Sequence, residues 1–127
     1  MLIVYSSSTL QLYVNSILIE TISDVIATTN QSDEPLYIAH RFNIGDAYED
    51  GSFFGLLDDI KIWNRALSTL EIGSDLSQVT EGLIGSWNFN EGEGGTVNDL
   101  SGYNNHGIIY GNPDWIEQSN SSSGDPC

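Results

Sequence analysis

The chain has 127 residues, 39% hydrophobic and 10% aromatic, with thirteen glycines; that profile fits one strand-and-turn domain with a small core better than a helical or disordered chain. Eighteen Asp and Glu against three Lys and Arg leave a formal charge of −15, which repels phosphate backbones and anionic lipid and so excludes nucleic acid and membrane insertion as modes of action. The same excess repels itself, so divalent cations or salt would steady the compact form, although solubility in a saline or extracellular setting is the plainer account of the charge.

No apolar run is long enough to cross a bilayer, and the start, M-L-I-V-Y-S-S-S, lacks the basic segment of a secretion signal, so the chain as given reads as soluble. The single cysteine, Cys127, is the last residue and has no intrachain partner. In chain order, Leu2 to Tyr5 and Leu10 to Val14 are apolar-rich runs around the polar turn Ser6 to Thr9, which is the pattern of a hairpin. Leu10, Leu12 and Val14 alternate with Gln11 and Tyr13, so one face buries and the other is wetter. Asn15 and Ser16 then turn the chain into a third strand, Ile17 to Ile22. A two-residue turn with positive φ at both centres disfavours Ser, so Ser16 implies either another turn type or local strain.

Residues 23 to 35 read as a loop, Leu36 to Ala39 as a short strand, and residues 40 to 51 as a second, acidic loop with Asp46, Glu49 and Asp50 in water. Asp46, Tyr48, Asp50 and Gly51 do not make a helix-loop-helix calcium site, because the twelfth position is Leu57 rather than Glu. The tract from Gly55 to Leu70, G-L-L-D-D-I-K-I-W-N-R-A-L-S-T-L, places Ile60 and Ile62 on one strand face and Lys61 and Trp63 on the other. Ser68 with Glu71 three residues on is a capping-box pair, which predicts one short helix near 68–75. From Gly82, the run G-L-I-G-S-W-N-F-N-E-G-E-G-G-T-V-N-D-L-S-G-Y-N-N-H-G-I-I-Y-G-N-P-D-W reads as a strand through Trp87 and Phe89, a glycine-rich acidic turn, and an Asp-x-Ser-Gly turn sequence. Residues 119–127 have nothing apolar to bury and read as a disordered tail.

The Gly55 to Leu70 tract closely resembles the signature near the carboxyl end of laminin-G-like domains of the concanavalin-A-like lectin/glucanase superfamily. L-Q-L-Y-V-N-S-I-L-I is similar to a repeated hairpin of that family, with Ser16 where the family usually has Gly. The run from Gly82 resembles the beginning of the same family, so the order is inverted. The resemblance implies an all-β, concanavalin-A-like jelly-roll sandwich, partial or permuted. Residues 1–76 would be the closing part of one domain and 82–118 the opening part of another, packed with the first. The chain is then either a piece cut from a tandem array or a permuted, reduced sandwich. Either way, first and last strands are neighbours in this superfamily, so the Ile60 strand should pair antiparallel with the Trp87 strand. Sheet edges left open by missing strands would invite edge-strand homo-oligomers.

The resemblance also implies a structural calcium, with Asp58 on the closing strand holding it alongside backbone carbonyls; alternation would send Asp58 inward with Ile60 and Ile62, where a carboxylate needs a partner. An Asp that anchors a turn through amide hydrogen bonds is the other reading. Asp99, Ser101 and Asn104, with Gly102 and Gly107 beside them, form either an oxygen-rich ion or sugar loop or an Asx-type turn with no ligand, and His106 reads as a turn residue. Tyr48 and Tyr103 in loops, and Trp63 facing away from Ile62, are the aromatic candidates for stacking on a ligand. No set of alternating strand carboxylates, Ser-His-Asp arrangement or phosphate loop is present, and Glu91 and Glu93 lie in a glycine-rich turn unsuited to rigid catalysis. The sequence therefore reads as a non-enzyme that recognises glycan or extracellular protein beside neighbouring laminin-G-like domains, or as a calcium-rigidified spacer with no ligand of its own.

Overall fold

The computed structural model describes residues 1–25, 33–39 and 53–117, and the chain divides into two compact units, Met1–Leu57 and Asp58–Cys127. In the first unit, β1 (Leu2–Ser6), β2 (Thr9–Val14) and β3 (Ile17–Ile22) form an antiparallel sheet in that order. Leu2 lies opposite Tyr13 and Tyr5 opposite Leu10, while the β2–β3 register shifts between Leu12 and Tyr13. Period-two alternation puts Val4 and Tyr13 on one face, where both are buried. Ile3, Tyr5 and Ile22 share the opposite face and are exposed.

Both hairpin turns have positive φ at their two central residues: 48° and 69° at Ser7 and Ser8, 50° and 64° at Asn15 and Ser16. These are the signs a primed two-residue turn requires, because only that twist matches the flanking strands. Of the alternatives open for Ser16, the turn keeps its conformation and Ser carries the strain. The expected strand at 36–39 is absent. Leu36, Tyr37 and Ile38 are exposed, the chain bends at Ile38 and Ala39, and Ala39 has a φ of 64°, which breaks an extended run.

In the second unit, β4 (Ile60–Trp63) pairs antiparallel with β5 (Leu83–Trp87), with Ile60 opposite Trp87 and Ile62 opposite Gly85. This is the pairing read from the sequence. Trp87 leans back over Gly85: a Cβ there would run into the indole ring, so only glycine lets the ring lie flat on the strand. The strand stops at Trp87 and does not continue through Phe89, whose φ of 52° turns the chain out of the sheet. Between these strands, Ser68 caps α1 (Thr69–Ile72): its hydroxyl accepts from Glu71 N–H while the Glu71 carboxylate accepts from Ser68 N–H, completing the capping box. A 3-10 turn follows at Leu76–Gln78, capped by Asp75. A second small antiparallel pair, β6 (Thr96–Val97) and β7 (Gly107–Ile108), completes the unit. Among the described residues of this unit, Leu67, Ile72 and Val97 are the buried apolar side chains. The described residues are thus mostly β, with antiparallel sheets and one short α-helix.

Candidate functional site

One edge of β5 is occupied by β4, and its other edge is closed by the loop from Asn98 to His106. Ser86 faces Lys61 across the ladder, yet its backbone is engaged elsewhere: its N–H donates to Asp99 Oδ1 at 2.9 Å and its C=O accepts from Leu100 N–H at 2.8 Å. Ser86 is therefore at a non-hydrogen-bonded position of the β4–β5 pair, with its polar backbone groups turned towards the loop. Asn105 extends the same seam, donating through Nδ2 to Ile84 O and accepting through its C=O from Trp87 Nε1, each at 2.9 Å. This edge of β5 is closed by local chain.

Asp99 organises that loop. Its Oδ1 accepts from Ser86 N and Ser101 N at 2.9 Å each, and its Oδ2 accepts from Ser101 Oγ at 2.8 Å and Asn105 N at 2.9 Å. Its own N–H donates to His106 Nδ1 at 3.1 Å, which leaves the imidazole proton on Nε2. The residue is only 7% exposed. Burial pushes its carboxyl up, but the donors from Ser101, Ser86 and Asn105 outweigh that and hold it at about 2. Four hydrogen bonds use the four lone-pair directions a carboxylate has, so no oxygen of Asp99 is left for a metal. Calcium takes six to eight oxygens, and this side chain does not fit as one of them.

The other expected metal residues are placed differently. Asp58 lies before β4, not on it, because Asp59 with a φ of 47° breaks the extended run that alternation presupposes. Asp58 is accordingly exposed instead of facing the core, and its Oδ1 accepts from Asp59 N–H at 2.9 Å. Asn104 is exposed with a φ of 60°, a turn position next to the load carried by Asn105. Among the described residues, no group of three or more His, Cys, Asp or Glu side chains is arranged to hold a metal ion.

On the far side of β4 a second node fixes the turn into α1. Arg65 makes a two-pronged contact with Glu71, Nη1 to Oε2 at 2.9 Å and Nη2 to Oε1 at 2.6 Å, and its Nε donates to Glu81 O at 2.9 Å. The Arg65 hydrogen bonds, with the Ser68 amide next, hold the Glu71 carboxyl at about 2. Gly82, at a φ of 76°, passes so close to Asn64 and Arg65 that a Cβ would meet Asn64 Oδ1 at 2.8 Å.

Of the aromatic candidates, Trp63 is half-buried and its indole N–H is fixed to Val79 O at 2.8 Å. All four residues of β4 are half-buried, so Trp63 shows less open surface than alternation predicts. Tyr103 is 62% exposed, on the loop that Asp99 anchors. Trp63 and Tyr103 belong to elements on opposite sides of β5. Tyr48 lies outside the described residues, as do the rest of the 40–51 loop and the 119–127 tail. Glu91 is held in the glycine-rich turn by its Oε1, which accepts from Asn98 N at 2.8 Å and Asn98 Nδ2 at 3.3 Å. Sequence reasoning missed Ser86, Asn105 and the clamping role of Arg65. The only signal for Arg65 was its place six residues before Glu71, and none existed for a backbone amide at Ser86.

A capped helix hard after a strand, joined by an Asn-Arg-Ala-Leu-Ser turn, belongs to a recognisable class. Residues 1–73 match the Laminin_G_3 family, of the Concanavalin A-like lectin/glucanases superfamily, and the chain belongs to that family. The match takes in β1 to β4 and α1 and stops before β5. Neither the curated proteins nor the solved structures contain a significant match to the chain.

Proposed function

We propose that this chain is a non-catalytic recognition module that binds glycan or protein at the cell surface or outside the cell, within a larger multidomain protein. The observation that carries this reading is the exposed Tyr103, presented on a loop whose backbone is pinned to β5 by Asp99 and Asn105. An aromatic on a rigid support loses little freedom on binding, which is what a contact residue needs. The charge of −15 restricts the ligand to neutral or cationic chemistry. Glu91 uses one carboxylate oxygen, Oε1, to hold its own turn. On this reading 1–76 and 82–118 are the closing and opening parts of laminin-G-like domains, and the neighbours are further such domains. No helix among the described residues is long and apolar enough to cross a membrane. A glycan array tests the reading: binding lost on replacing Tyr48, Trp63 or Tyr103 by Ala supports it. An array and an extracellular-protein screen both flat for the native chain would refute it and leave a spacer role.

A further inference from the structure

The glycine-rich turn after β5 and the segment after β7 enclose an open cleft of about 350 Å³, away from every residue considered above for ligand binding. Its walls are joined by backbone, since Ile109 N–H donates to Gly95 O at 2.9 Å just beyond the β6–β7 pair. That bond fixes the end of the cleft next to the β6–β7 pair. Trp115, half-buried, gives it an aromatic surface, and Glu93, Asn112 and Asp114 line it with oxygen and amide groups. At Gly94 and Gly95 a Cβ would meet nothing within 4 Å, so bare backbone faces open space there.

From this combination we infer that the cleft is a binding site for an uncharged saccharide ring. An indole face takes the C–H surface of a sugar ring, and its neighbouring carboxylates accept from vicinal hydroxyls. Exposed glycine backbone lets further hydroxyls approach amides that a side chain would screen. The volume is at the small end of the roughly 300–1,000 Å³ typical of ligand sites, which suits one sugar unit and not a peptide. Glu93 and Asp114, inside a field of −15, repel sulfated or sialylated sugars, so the neutral class is selected by charge. The inference rests on the recognition reading for its ligand class, and it puts the ligand at a different place from Trp63 and Tyr103.

The test is a nitrogen-15 correlation spectrum of the whole chain titrated with neutral mono- and oligosaccharides of glucose, galactose, mannose and N-acetylglucosamine. Saturable shifts of the Trp115 indole N–H and the amides of Gly94 and Gly95, with the Trp63 and Trp87 indoles unmoved, are expected for at least one sugar. Trp115→Ala should remove the response, and Asp114→Ala, at an exposed position, should weaken it about tenfold while leaving the rest of the spectrum native. Shifts confined to Trp63 or Tyr103 would overturn this inference and leave the recognition reading standing. A silent cleft across the panel would overturn it too, as would calcium moving these amides while no sugar does.

Discussion

Replacing Asp99 by Asn probes the node that closes the β5 edge, because Asn has the shape of the protonated carboxyl and cannot accept all four donors. The carboxyl lies at about 2 in the folded chain against an ordinary 3.8. At about 1.4 kcal/mol for each tenfold, that difference makes the ionised form worth about 2 kcal/mol to the fold at neutral pH. Asp99 is 7% exposed but lies in a loop whose residues 102–106 face water, so solvent screening makes about 2 kcal/mol the upper end of the loss. A loss of about 2 kcal/mol lowers the melting temperature of a unit this small by about 8–16 °C. The folded value is depressed, so the stabilisation is fully present above the ordinary carboxylate value and is lost as pH falls through about 2. Thermal melts followed by circular dichroism at pH 7 and in steps down through that window are the assay. Native chain and Asp99→Asn should differ widely at pH 7 and converge between about 4 and about 2. Equal melting at pH 7, or a gap that stays constant through the acid range, would refute the reasoning.

Glu71→Gln and Arg65→Ala should each lower the melting temperature by a few degrees at pH 7, and Arg65→Lys should recover little, since an ammonium cannot make the two-pronged contact. Glu71, at about 2 against 4.5, contributes above its ordinary value and loses that contribution as pH falls towards about 2, so Glu71→Gln should melt like the native chain at the acid end. Ser16→Gly relieves a left-handed serine at a φ of 64° and should stabilise the chain by about 1 kcal/mol in urea titration. A loss of stability there would show that the Ser16 hydroxyl matters more than its backbone.

Local pattern alone was enough for the hairpins at Ser7–Ser8 and Asn15–Ser16 and for the capping box of Ser68 and Glu71, whereas the pairing of the Ile60 and Trp87 strands was implied by the family resemblance. The hairpins and the cap depend on residues close in sequence or on a strand period, and both are written in one dimension. The all-β family assignment followed from the same stretches. Alternation failed where a single backbone angle broke it, at Asp59 before β4, at Ala39 and at Phe89; Asp tolerates a positive φ better than most residues, but Ala and Phe give no sign of one. Asp58 left the core for that reason. Asp99 stood in the sequence as either an ion ligand or a turn anchor. Its chemistry was decided by Ser86, thirteen residues away, whose backbone amide it meets only because β4 takes the other edge of β5. Residue order was sufficient for the β1–β2–β3 hairpins, the β4 strand and the Ser68 cap, but not for the extent of every strand. What fills the Asp99 carboxylate, and the exposure of Tyr103 where Trp63 is half-buried, follow from what each strand edge meets in space, which no local pattern contains.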